Sequence, residues 1–191
     1  EVKEERIIYA ENGGEKKAIK VILAELLPPD LTGTDTEKTT CMGQSVDIST
    51  VADADYTYDW EGSGVLTDGA ATATVLPTEA TTYTVLVTDA STCTATATVD
   101  VNVEGSPSIT DPTANDYIWT GGASINWDNR YNWVTYDSEN SKYVQAANYP
   151  NPTTHNVFVE QYGSGEGCIH NWTTANQTIS VNNESKIGRA S

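Results

Sequence analysis

Cations are missing from the middle of this sequence. No Lys or Arg occurs between Thr39 and Asn129, a stretch that holds thirteen Asp and Glu, and the 191-residue chain carries a formal charge of −17. Phosphate binding needs clustered cations, so no nucleic-acid partner is expected. Histidine is scarce as well, with only His155 and His170. There is no nucleophile elbow, Gly-rich phosphate loop, zinc-ligand spacing or His-Glu-x-x-His motif. The chain therefore reads as a non-enzyme. Long apolar runs are also missing. The longest, Ile19 to Leu27, is interrupted by Lys20 and Glu25 and stopped by Pro28-Pro29, too short and too charged for membrane insertion. Glu1 to Arg6 lacks the apolar core of a secretion signal. Phe and Met occur once each, which leaves any core to smaller side chains, Tyr and Trp.

What remains is rich in Thr, Ala, Val and Tyr, residues that suit pleated, half-exposed surfaces. Sustained helical periodicity is absent, so the expected fold class is all-β. Short alternating runs between Gly, Pro, Asp and Ser describe a small β-sandwich over 30–104, followed by a second β-rich domain. Val46 and Ile48 share one face of their strand, and Tyr56, Tyr58 and Trp60 share a face of theirs. Tyr83, Val85 and Val87 alternate with Thr84, Leu86 and Thr88. Trp60 is expected in the core, and Tyr83 in a tyrosine-corner role. Ala-Thr-Ala-Thr-Val recurs at 71–75 and 95–99 as convergent strand composition.

The sandwich is flanked by three other segments. Residues 1–29 predict a β-hairpin turning at Asn12-Gly13-Gly14, either the end of a preceding domain or an assembly strand. Isolated hairpins are marginal in water, so it must lean on something. Residues 105–116 read as a linker. Residues 117–191 form a Trp- and Asn-rich β domain, cut short, because the chain stops without a closing element. Both ends suggest a piece of a longer protein.

Three cysteines are few, but Cys41 and Cys93 sit where one strand enters the sandwich and the last one begins. An antiparallel arrangement would bring them together as a disulfide, worth about 4 kcal/mol in the loop-entropy model. Cys168 is left over, to pair outside the sequence or to stay buried. The acidic surface keeps the molecule soluble; alternatively, Asp53, Asp55 and Asp59 offer oxygens to calcium, as do Asp116, Asp128 and Asn129, without an EF-hand pattern. No other cofactor is expected. Trp119, Trp127 and Trp133 fit either a compact mini-core or a platform on which sugars stack.

Two stretches carry a resemblance. Cys41 to Val103, with Cys-Met-Gly-Gln-Ser-Val, Tyr-Asp-Trp, Gly-Ser-Gly, Pro-Thr-Glu-Ala-Thr-Thr-Tyr-Thr-Val and a late Cys, resembles the immunoglobulin-like or PKD-like repeats of large Bacteroidota surface proteins. Ile118 to Trp133, with Trp-Thr-Gly-Gly, Asn-Trp-Asp-Asn and Asn-Trp, resembles a second element of such proteins, one that often opens a parallel β-solenoid. The resemblance implies export, commonly by type IX secretion, and an extracellular place on the bacterial outer surface. Adhesion, gliding motility or a surface filament would be the setting. The implied partners are neighbouring domains of one long chain, other subunits of a surface assembly, or glycans and surfaces. Two further readings stand beside it: a carbohydrate-binding module of a secreted enzyme that stacks sugars on Trp119, Trp127 and Trp133, and a fibre subunit exchanging strands through residues 6–26.

Overall fold

The computed structural model describes residues 3–24, 27–107, 109–124, 126–151, 153–158 and 187–188. The protein is essentially all-β, and no α-helix occurs among the described residues.

The N-terminal hairpin forms as expected. Strands β1 (Lys3–Asn12) and β2 (Glu15–Ala24) pair antiparallel along their whole length, from Lys3↔Ala24 to Asn12↔Glu15. Gly13 and Gly14 turn the chain with φ of 65° and 87°, a conformation that a two-residue hairpin loop requires and that glycine adopts without steric cost. The two strands form a sheet of their own.

A sandwich follows. Its larger sheet has the order β3 (Glu37–Cys41), β8 (Thr94–Glu104), β7 (Thr81–Thr88), β5 (Thr57–Glu61); the smaller pairs β4 (Val46–Ser49) with β6 (Thr72–Val75). Alternation places Ile48, Ala73 and Val75 of the small sheet against Trp60, Tyr83, Val85 and Val99 of the large one. Trp60 is 4% exposed, and its indole N–H donates to the Ala70 carbonyl at 3.0 Å, so the ring is core, as expected. Strand β3 runs parallel to β8, with pairs from Glu37↔Asp100 to Cys41↔Glu104.

That pairing overturns the expected disulfide. Cys93 is a free thiol, while Cys41 is disulfide-bonded and so not to Cys93. Antiparallel pairing would have returned Cys41 to the start of β8; the parallel strand carries it to the other end. Cys41 lies beside Glu104 and Cys93 precedes Thr94, with the eleven residues of β8 between them. At ~3.3 Å per residue that is roughly 35 Å, whereas a disulfide needs Cα atoms within about 7 Å.

The third sheet has the order β11 (Lys142–Gln145), β10 (Trp133–Asp137), β9 (Asp116–Trp119), β12 (Asn156–Phe158), β13 (Ile187–Gly188). β9, β10 and β11 are antiparallel, but β9, β12 and β13 run parallel, with Tyr117, Val157 and Ile187 in one row. Cys168, His170 and most of the expected β domain after Asn156 lie outside the described residues.

Candidate functional site

The Trp- and Asn-rich motif is organised by two buried side chains, Asn132 and Trp133, both with no exposed surface. A single 3₁₀ turn, Arg130–Asn132, delivers them into β10, capped by the Asn129 carboxamide, which accepts from the Tyr131 N–H at 3.0 Å. Asn132 uses its amide fully. Its Oδ1 accepts from the backbone N–H of Ala123 (3.0 Å) and Ser124 (2.8 Å). Its Nδ2 donates to Ser124 Oγ (2.9 Å) and the Asn126 carbonyl (2.8 Å). Its own carbonyl accepts from the Thr120 N–H at 2.8 Å. One residue thus ties Thr120, Ala123, Ser124 and Asn126 together. Polar groups buried this deeply are tolerated only when every bond is made, and here it is.

Trp133 sits beside that knot. Its indole N–H donates to the Trp127 carbonyl at 2.8 Å. Trp119 and Trp127 meet the ring edge-on from two sides, with centroids 4.9 and 4.5 Å away. Of the three tryptophans proposed as a sugar platform, Trp133 is withdrawn into the core and cannot stack on a ligand; Trp119 and Trp127 are half-buried around it. The mini-core reading describes the arrangement. Arg130 completes the rim, lying 4.1 Å over the Tyr131 ring and donating to the Ala146 carbonyl at 3.3 Å.

The sheet carrying this motif is apolar on both faces. Tyr117, Trp133, Ala146 and Val157 fill one side, where His155 stacks on Tyr117 at 4.5 Å. Ile118, Val134 and Tyr143 fill the other, and there the packing partner is the sandwich itself, through Met42 and Val103. Met42 belongs to the turn after β3. In that turn the Gln44 side chain donates to the Thr120 carbonyl, and Ser45 Oγ donates to the Gly122 carbonyl at 2.8 Å. Gly43 and Gly122 meet backbone to backbone: a Cβ on Gly122 would run into the Gly43 carbonyl oxygen and Leu76. Lys142 Nζ reaches Glu79 at 2.6 Å across the same junction. The Cys41–Ser45 turn is therefore where the sandwich, the third sheet and the Cys41 disulfide converge.

The remaining sequence candidates fall elsewhere. Tyr83 is fully buried, and its hydroxyl donates to the Ser63 carbonyl at 2.6 Å, with burial pushing its pKa up to about 12. This is a different bond from the expected corner, which reaches only a few residues upstream; Tyr83 instead clasps the turn after β5, where Gly62 (φ +150°) leaves room for the ring. Among the described residues, no three His, Cys, Asp or Glu side chains stand where they could share a metal ion. Asp53 Oδ1 accepts the Asp55 N–H at 2.9 Å in a local turn, and Asp59 lies on the outward face of β5 opposite Leu86. Asp116, the other acid considered for calcium, is 4% exposed and already bonded by Thr113 and by the Asn156 amide at 2.7 Å.

Sequence reasoning missed Asn132, Gly122, Gln44 and Ser45. Only the repeated Asn-Trp at 126–127 and 132–133 hinted at the first. No family model matches this chain, and no curated protein matches it.

Proposed function

We propose that this chain is a non-enzymatic structural and adhesive module of an exported bacterial surface protein or filament, built to hold its shape under tension. The observation that carries the reading is the parallel pairing of β3 with β8. The chain enters the sandwich at the Glu37 end of one strand and leaves at the Glu104 end of the other. With the Cys41 disulfide open, tension along the chain pulls the two strands in opposite directions, so the whole five-residue ladder is loaded in shear at once, not opened one bond at a time.

The junction adds to this. The third sheet is seated on the exit end of the sandwich by Met42, Val103, Gln44 and Ser45, close to the Cys41 disulfide. Stiff coupling of neighbouring units is what a stalk or filament segment needs. The parallel row β9, β12, β13 further supports reading the last segment as the opening of a parallel β-solenoid, with the β10–β11 hairpin covering its first strand. An antibody against the chain tests the setting: surface display predicts labelling of intact cells of the source organism. Labelling only after permeabilisation overturns it.

A further inference from the structure

Among the described side chains of the β1–β2 ribbon, none belongs to the core of the sandwich or of the third sheet. Seven large hydrophobic side chains are exposed among the described residues, and four of them stand on the ribbon: Ile7, Ile8, Tyr9 and Ile19. Ile8 lies directly opposite Ile19 on one face, while Ile7 and Tyr9 take the other. A two-stranded ribbon of this kind is marginal alone; three or more strands make an independently stable sheet.

The two edges of the ribbon differ. Over Lys3–Tyr9, the part of β1 opposite Ala18–Ala24, four of seven residues are charged: Lys3, Glu4, Glu5 and Arg6. Charges of this density guard an edge against pairing. From Ala18 to Ala24, β2 reads Ala-Ile-Lys-Val-Ile-Leu-Ala, with one charge, no Pro and high β-propensity. Among the described strands β2 pairs with β1 alone. Elsewhere the fold does block an edge: on β5, the Trp60 N–H is taken by the Asp68 carboxylate at 2.9 Å.

We infer that β2 is a self-association edge whose partner is β2 of a second copy, antiparallel across a two-fold axis at Val21. The product is a four-stranded sheet in the order β1-β2-β2-β1. Pairing identical strands antiparallel is isologous, so both copies contribute the same surface. Centred on Val21, the register sets Ile19 opposite Leu23, Lys20 opposite Ile22 and Ala18 opposite Ala24, and no like charges meet. Charge also selects this segment. The chain carries −17, but residues 3–24 hold five Lys and Arg against four Glu, a net of 5 − 4 = +1. Two copies that repel through the acidic stretch from Thr39 to Asn129 can meet there. The inference stands independently of the surface-display reading.

Sedimentation of the full chain across micromolar to near-millimolar concentration tests it. The native chain is expected to dimerise, and Val21→Lys, which sets two cations face to face at the axis, is expected to raise the dissociation constant at least about tenfold. In a Cys93→Ser background, Val21→Cys is expected to give a copy-to-copy disulfide under mild oxidation, and Arg6→Cys, its partner position on β1, is not. A chain that stays monomeric, a dimer indifferent to Val21→Lys, or cross-linking through Arg6→Cys overturns the proposal.

Discussion

Cys41 and Cys93 stand at opposite ends of the same strand, one beside Glu104 and the other just before Thr94. The separation follows from the direction of β3, and it decides which covalent bond the molecule has. Cys93 is consequently dispensable to the fold. Cys93→Ser is expected to leave the denaturation midpoint unchanged to within about 0.5 kcal/mol. Cys41→Ser is expected to cost about 2–4 kcal/mol by removing a disulfide. Iodoacetamide labelling of the native, unreduced protein should modify Cys93 and spare Cys41; the reverse pattern would refute the assignment.

Asn132→Asp is expected to be among the most damaging single-atom-scale changes in the chain. A carboxylate keeps the two bonds from Ala123 and Ser124 N–H but loses both donations, to Ser124 Oγ and the Asn126 carbonyl. Leaving a charge buried against a carbonyl costs at least about 3 kcal/mol. Tryptophan fluorescence reports it, because Trp133 hangs on the same loop: a red shift accompanies loosening of the cluster.

Gly122→Ala tests the junction between the sandwich and the third sheet. The new methyl meets the Gly43 carbonyl and Leu76, so one partner must move. A loss of roughly 1–3 kcal/mol is expected from overpacking. Denaturant unfolding should also lose cooperativity, since the sandwich and the third sheet then melt apart. An unchanged midpoint and slope would mean that the contact contributes little.

Alkaline pH probes Tyr83. Its hydroxyl is neutral and bonded in the folded state, with a pKa of about 12 caused chiefly by burial, against 10.0 for an ordinary tyrosine. A folded pKa above the unfolded one gives a contribution that is complete below pH ~10. That contribution is lost as pH rises through about 12. Stability measured across that window should fall in the native protein and fall less steeply in Tyr83→Phe. Equal slopes would contradict the assignment.

Much of this was legible in the sequence, and the reasons are local. Gly13-Gly14 can only be a tight turn between two apolar runs, and the alternation of Tyr83, Val85 and Val87 states which face is buried. Trp60 shares parity with Tyr58, so its place in the core followed. Strand partners were another matter. Nothing in Glu37–Cys41 distinguishes parallel from antiparallel pairing with a strand some sixty residues away, and the disulfide expectation failed on that one choice. The tryptophan motif was readable as a mini-core, but Asn132 was not, because a buried carboxamide and a solvated one look alike until the loop around it is closed. The Gly43–Gly122 contact joins residues far apart in sequence by backbone alone, which no side-chain pattern encodes.

The central claim is that the β3–β8 ladder bears load in shear, and pulling a single molecule from two different pairs of points tests it most directly. Held by its two ends with the Cys41 disulfide reduced, the chain loads β3 and β8 in opposite directions. Held by its N-terminus and by a handle at Ser91, before β8 begins, it loads both parallel strands from the same end and peels them apart. The account predicts a clearly higher unfolding force for the sandwich in the first geometry. It also predicts that this force drops in Lys38→Pro or Thr39→Pro, since one of these adjacent amides must face β8. Equal forces in the two geometries, with both proline variants unchanged, would contradict it.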